Sequence, residues 1–296
     1  MQPALSPARG FACALAAMLI WSTTAIQVKL LGMAAANLTA LAALLAAISI
    51  GLWLLVTRQF ALLHVPARDW KFLLIFGIGA ALNSLTYFLA FANTSTANTL
   101  ISHYTAPVMV LLLAPAFIRE RVSWFALLPL ALALWGMWLI TGGGAVGGRD
   151  LAGIGYGVVS AFAYAVVMLA GRRIPATLHP MAIMFWQSVI VGACTLPLLE
   201  TPVTFAPEVW FFLLTFPVCN VALAGVLFFR SFAALKAFTV SILGYVEPVG
   251  ALLIAIPALG EHLTAPVISG GLLIVLSGIL VIWYENRAAA VPVSAG

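Results

Sequence analysis

The stretch YTAPVMVLLLAPAFIRE, residues 104–120, recurs at residues 245–261 as YVEPVGALLIAIPALGE. At a displacement of 141 positions, Tyr104 matches Tyr245, Pro107 matches Pro248 and Val108 matches Val249. Leu111 and Leu112 match Leu252 and Leu253, Ala114 matches Ala255, and Glu120 matches Glu261. Upstream, Trp70, Phe72, Leu73, Leu74 and Phe76 reappear 140 positions later as Trp210, Phe212, Leu213, Leu214 and Phe216. The one-residue difference between the two offsets reads as a single insertion between helices. If each half crosses a membrane an odd number of times, the second half sits upside down relative to the first. Two related, oppositely oriented halves can expose one central site to either side in turn, which is how many transporters are built.

Composition places the chain in lipid. Of its 296 residues, 64% are hydrophobic and only 7% charged, and the mean hydropathy is +1.16; an ordinary soluble domain carries roughly 25% charge. A spanning helix takes about 20 apolar residues, so the length accommodates about ten spans. Apolar windows place them near residues 10–30, 36–57, 70–92, 97–118, 122–141, 152–171, 180–199, 208–229, 238–259 and 264–284. The expected fold is all-α and integral to the membrane, with ten transmembrane helices arranged as two inverted five-helix repeats. Residues 1–144 form the first repeat with a short N-terminal tail, 145–287 the second, and 288–296 a disordered C-terminal tail.

Basic residues set the orientation. With the N-terminus in the cytoplasm, eleven of the thirteen Lys and Arg residues fall inside, leaving only Lys29 and Arg149 outside. The opposite placement reverses those numbers, so the positive-inside rule puts both termini in the cytoplasm. Scattered between apolar runs, these basic residues form no nucleic-acid patch. Arg9 precedes a full-length apolar segment with no small-residue cleavage site, so the N-terminus reads as a first span rather than a leader. Cys13, Cys194 and Cys219 lie within apolar stretches and read as small packing residues, with no metal spacing and no disulfide pair. The glycine-rich segment Thr141–Asp150 reads as a flexible outer linker, and the short polar loop Asn93–Asn98 makes the third and fourth spans antiparallel neighbours.

Ionisable groups deep in lipid are costly, so they are the first functional candidates. Glu247 falls in the middle of the ninth span, directly before Pro248, whose missing N–H is expected to free a carbonyl near Gly244. A kinked, locally open helix beside a carboxyl group suits a substrate amine or a proton. The competing reading is a protonated or hydroxyl-bonded Glu247 that only fixes packing. Its repeat counterpart is Ala106, so the charge is not part of the shared scaffold. His103, near the centre of the fourth span, suits a carboxylate or a proton relay, and equally a neutral histidine bonded to a neighbouring helix. Polar and aromatic residues at middle depth complete the candidate substrate site: Trp21, Ser22, Thr24, Asn83, Tyr87, Tyr104, Tyr164, Trp186, Gln187, Asn220 and Tyr245. Asn83 and Tyr87, four apart, share a helix face. Aromatic walls suit a flat or apolar side chain, and amide and hydroxyl groups an amino-acid backbone. Singly, each such residue is more often helix-packing glue. Pro107, Gly244 and Pro248 are the candidate hinges. Trp53, Trp70, Trp124, Trp210, Trp283 and Tyr284, near span ends, read as interfacial anchors. Gly153-x-Gly155-x-Gly157 opens an apolar span with no strand before it, so helix contact is its expected role and not nucleotide binding.

The glycine-led first span ending in Trp21-Ser22, together with Pro107 and Glu120 and their counterparts Pro248 and Glu261, resembles the drug/metabolite transporter superfamily, EamA type. The resemblance covers essentially the whole chain, although Ser22 and Thr23 stand where many members carry glycine after the tryptophan. Within that superfamily the chain is most similar to bacterial inner-membrane exporters of aromatic and other neutral amino acids, with exporters of drugs or quaternary ammonium compounds as the alternative. The resemblance implies alternating access through four-helix bundles around a central cavity, with the fifth and tenth spans peripheral. Expected partners are a small-molecule substrate and the lipid bilayer, with no nucleic acid, no cofactor and no metal, in a monomer or homodimer. No ATP-binding loop is legible, so energy would come from gradients, by facilitation or proton coupling. A membrane enzyme would need a catalytic constellation at one interface, and eight acidic residues with four separated histidines supply none. A non-transporting scaffold would leave Glu247 and the polar cluster without a purpose.

Overall fold

The computed structural model describes residues 5–118, 124–140, 142, 147–174, 178–201, 203, 210–259 and 264–290. The turns at Glu120 and Glu261 and the tail from residue 291 lie outside the described residues. Within them every regular element is helical, as lipid requires, because a helix satisfies its own backbone groups where no water can. Seven stretches are long and apolar enough to cross a membrane: Pro7–Val28, Ala35–Val56, Ala67–Asn93, Asn98–Phe117, Leu151–Arg173, Pro180–Leu198 and Trp210–Ser231. Three shorter apolar helices, Leu127–Ile140, Ala237–Ala251 and Ile268–Tyr284, occupy the places expected of the fifth, ninth and tenth spans.

Several spans are broken where the sequence was read as continuous. The first consists of α1 (Pro7–Trp21) and α2 (Thr24–Leu31), parted at Ser22 and Thr23. Their hydroxyls donate back to Met18 O and Ile20 O, carbonyls that also accept the Ser22 and Thr23 N–H groups. At the far end, Gly32 with φ of +57° closes α2, a left-handed conformation that glycine adopts without strain. Two long spans follow, α3 (Ala35–Val56) and α4 (Trp70–Asn93). The fourth span divides into α5 (Thr96–His103) and α6 (Ala106–Phe117), followed by α7 (Leu127–Ile140). Ser95 caps α5 through the Asn98 N–H.

In the second half, α8 (Leu151–Arg173) and α9 (Pro180–Thr195) are continuous. The eighth span runs as α10 (Trp210–Thr215), a π-helical segment Phe216–Leu223, and α11 (Ala224–Ser231). The ninth divides into α12 (Ala237–Leu243) and α13 (Val246–Leu259), and α14 (Ala265–Ala290) ends the described chain. This last helix continues past Arg287 through Ala290, so the expected disordered tail does not begin at residue 288.

The π-helical segment relocates the insertion. Phe76 and Phe216 match at an offset of 140, whereas Tyr87, Phe88, Phe91 and Ala92 align with Phe228, Phe229, Phe232 and Ala233 at 141. The extra residue therefore enters inside the eighth span, between 216 and 228, and not between helices. An i→i+5 turn admits one more residue than an α-turn while the helix continues on either side.

Packing pairs the halves in a reciprocal pattern. α4 lies against α8 and α1 against α11, while α3 meets α9, α6 meets α12, and α7 meets α14. Exchanging each span with its counterpart five spans later maps every one of these pairs onto itself or onto another of them. The larger buried cluster fills the centre around Met18, Leu54, Leu73, Phe76, Met168 and Ile183. Large apolar side chains on the outside, such as Leu52, Trp53, Leu112, Phe211 and Leu272, are exposed, a surface that fits acyl chains and would aggregate in water. Trp70 is not a free anchor, since its ring packs edge-on to Trp186 at 4.9 Å. Tyr284 stacks on Phe125 at 4.9 Å, and the Trp124 side chain lies outside the described residues.

The α7–α14 seam is set by glycine. A Cβ on Gly136 would stand 2.5 Å from Gly270 O, and one on Gly270 would stand 2.5 Å from Gly136 O. Ser277 donates across the same seam to Pro129 O at 2.7 Å. Backbone at that range cannot move aside as a flexible side chain would. Gly136→Leu is therefore expected to destabilise by about 1–3 kcal/mol, the usual range for overpacking, seen as a lowered unfolding midpoint in detergent; an unchanged midpoint would contradict the seam.

Candidate functional site

The fourth and ninth spans break at equivalent places, Tyr104-Thr105 and Gly244-Tyr245, each followed by the repeated proline at 107 or 248. In the first break the Val108 N–H turns back to Thr105 O, which strands the Tyr104 carbonyl. Tyr245 fills that vacancy. Its hydroxyl donates to Tyr104 O at 2.6 Å, and the two rings lie 5.3 Å apart. The repeat mates thus meet, with the second half satisfying the broken helix of the first. In the second break the expected open carbonyl is absent, because the Glu247 N–H bonds Gly244 O at 3.0 Å. The helix bends beside Glu247 without leaving that acceptor exposed.

Between these breaks lies a cavity of about 190 Å³. Of the residues expected at the site, Trp21, Thr24, Asn83, Tyr87, His103, Tyr104, Tyr164, Gln187, Asn220 and Glu247 line it, as do Pro107 and Gly244. Ser22, Trp186 and Tyr245 do not. Ser22 is 1% exposed and bonds its own helix. The Trp186 indole is turned to Leu63 O at 2.9 Å. Tyr245 is fully buried on its contact with Tyr104. Pro248 is also buried, away from the lining.

One wall is a polar relay. Gly157, Ser160 and Tyr164 fall on one face of α8, and Gly157 lets α5 come close, since a Cβ there would overlap the Ser102 hydroxyl. That approach brings His103 Nδ1 to 2.8 Å from Ser160 Oγ. Asn83 Nδ2 donates to Ser160 Oγ and to Ser160 O, both at 3.1 Å. A neutral imidazole accepting from the serine hydroxyl, which itself accepts from Asn83, satisfies all three groups. Tyr87, Tyr104 and Tyr164 surround the imidazole at ring separations of 4.3, 5.4 and 5.5 Å. Glu247 faces the same tyrosines, with the Tyr104 hydroxyl in hydrogen-bonding reach of its carboxyl.

The opposite wall is a clasp between the interrupted first span and the π-helical segment. Asn220 Nδ2 lies 3.0 Å from both Thr23 Oγ1 and Thr24 Oγ1 and 3.2 Å from Ile20 O. Gln27 Nε2 donates to Asn220 Oδ1 at 3.1 Å, and the Trp21 indole donates to Asn220 O at 2.6 Å. The one-residue insertion thus turns an asparagine onto the break in α1–α2. Asn220→Leu removes the side-chain bonds to Thr23, Thr24, Ile20 and Gln27 while the Trp21 bond to the residue-220 carbonyl stays, an expected loss of about 1–3 kcal/mol. Thermal unfolding in detergent would read it, and unchanged stability would mean the clasp is dispensable.

At the far end of the bundle the linker is tied rather than loose where it is described. Asp150 accepts from Thr94 Oγ1 and from the Gly147 N–H, both at 2.7 Å. Those two bonds hold its carboxyl pKa below the ordinary value.

Sequence reasoning missed Thr39, Ser84, Ser188 and Ser241 in the lining. Hydroxyls inside apolar helices usually bond their own turn, as Thr39 and Ser241 do to Ala35 O and Phe238 O, so type and depth alone did not single them out. Ser160 was missed because it acts through His103 and Asn83 and does not line the cavity itself. Among the described lining residues Glu247 is the single acid, and no Lys or Arg is present.

The sequence profile of the EamA-like transporter family matches this chain twice, over residues 8–142 and 151–284. The chain belongs to the EamA-like transporter family. An uncharacterized transporter of Archaeoglobus fulgidus is 31% identical over 209 residues, covering 70% of this chain and 75% of the relative. The uncharacterized transporter YxxF of Bacillus subtilis is 25% identical over 216 residues, covering 71% and 69%. A solved crystal structure of a protein superposes with a TM-score of 0.83 over 97% of this chain and all of its own, at 18% identity, a likeness of fold alone. This EamA-like protein is therefore a multi-pass membrane transporter.

Proposed function

We propose that this EamA-like protein is a secondary transporter that exports small metabolites, with aromatic and other neutral amino acids as the leading substrates. Glu247 carries the reading: an acidic side chain lining a tyrosine-walled cavity, on a span broken at the position where its repeat counterpart is also broken. A carboxyl at middle depth with no cationic partner is expensive, so a site that keeps one is built around what it will bind. Reciprocal packing supports two inverted five-helix halves, with bundles moving about the Tyr104–Tyr245 contact and bending at Pro107, Gly244 and Pro248. The charge distribution supports cytoplasmic termini, and the bacterial inner membrane and outward direction follow the family resemblance. Glu247 would take the substrate amine and the aromatic wall its side chain.

The test is uptake of labelled phenylalanine, threonine, methionine and a quaternary ammonium compound into liposomes carrying the purified protein, with and without a pH gradient. Saturable amino-acid flux above empty liposomes is expected. Flux of the cation alone would move the assignment to drug transport, and stimulation by the gradient would establish proton coupling. No flux of any solute would contradict the proposal.

A further inference from the structure

The charge inventory of the cavity goes further than substrate size and shape. A zwitterionic amino acid brings an ammonium and a carboxylate, and each must exchange water for a partner when it enters a narrow, mostly apolar space. The ammonium has one. Glu247 lines the cavity together with Tyr87, Tyr104 and Tyr164, a carboxylate and three electron-rich rings of the kind that hold organic cations.

The carboxylate has no equivalent. No Lys or Arg is among the described lining residues. The Asn83 amide and His103 Nδ1 are engaged at Ser160, and the Asn220 amide in the clasp with Thr23, Thr24 and Gln27, so what the lining offers an anion is uncharged donors such as Gln187, Ser84 and Ser188. A substrate carboxylate would in addition share the cavity with the Glu247 charge.

We propose that this cavity selects a protonated amine on an apolar or aromatic body and discriminates against a carboxylate on the same molecule, so that an aromatic monoamine or amino-acid amide is bound in preference to the free amino acid. The inference rests on the cavity being the substrate site and reorders the substrates given above, placing amines and amides ahead of the free amino acids.

The test is calorimetric binding of four related probes to the full-length protein in detergent, at a pH where the amines are protonated: 2-phenylethylamine, phenylalanine amide, phenylalanine and 3-phenylpropionate. The expected order has both amines binding about tenfold or more tighter than phenylalanine, and no binding of 3-phenylpropionate. In Glu247→Gln, with folding checked by circular dichroism and gel filtration, the amines should lose their advantage over phenylalanine. Equal or tighter binding of phenylalanine in the native protein, or binding of 3-phenylpropionate, overturns the proposal without needing any variant. Absence of amine binding overturns it too. Saturable flux of another solute in the liposome assay would then leave the transport reading standing, whereas absence of flux would remove both.

Discussion

Glu247→Gln is expected to reduce saturable flux of an amine-bearing substrate about a hundredfold while the protein remains folded. The substitution keeps the shape of the side chain and an oxygen acceptor for the Tyr104 hydroxyl, so the break at Gly244-Tyr245 and its packing persist. What it removes is the negative charge opposite the substrate ammonium. Breaking a desolvated charge pair from one side costs about 3–5 kcal/mol where burial is complete; partial access of water to the cavity lowers that to about 2–4 kcal/mol, which brackets a hundredfold. Glu247→Asp retains the charge but draws it back by one methylene, so an intermediate loss is expected. The measurement is the initial rate of labelled substrate entry into proteoliposomes with matched protein content. Wild-type flux in a folded Gln variant would remove Glu247 from the mechanism.

Ser160→Val is expected to have the largest effect on stability, about 2–4 kcal/mol. Ser160 is fully buried, and its hydroxyl is the common partner of Asn83 and His103. Valine leaves both groups without that partner and adds bulk where α5 and α8 already touch at Gly157. Ser160→Ala, which adds no bulk and opens space beside a cavity that can admit water, should cost less. Unfolding midpoints in detergent would rank the two variants. A Val variant as stable as the native protein would mean that His103 and Asn83 find other partners and that the wall is not built on Ser160.

Much of this architecture is legible in the residues. The 104–120 and 245–261 repeat made Pro107 and Pro248 hinge candidates, and both spans are interrupted just before them. Glu247 stood out because a charge in an apolar run has few structural explanations. The rotational setting of each helix was much less legible. In water one apolar face points to the core, but here both faces are apolar, so depth is readable and direction is not. Ser22, Trp186 and Tyr245 have suitable types and depths yet turn their polar atoms away from the cavity, to Met18 O of the same helix, Leu63 O and Tyr104 O. The Pro248 argument failed for a local reason, since the Glu247 N–H tightens onto the Gly244 carbonyl that the proline was expected to free. The π-helical segment has no compositional signature of its own. Its trace is the change of repeat offset from 140 to 141, which becomes interpretable only once the helix around Asn220 is seen.

Alternating access requires the Glu247 cavity to be reached in turn from the two sides of the membrane. It is tested most directly by a single cysteine at Ser84, a cavity-lining position, in a protein whose Cys13, Cys194 and Cys219 have been replaced. A membrane-impermeant thiol reagent is added to one side or the other of oriented vesicles. Alternating access predicts labelling from both sides, with substrate changing the two rates in opposite directions. Labelling from one side only, whatever the substrate concentration, would contradict it.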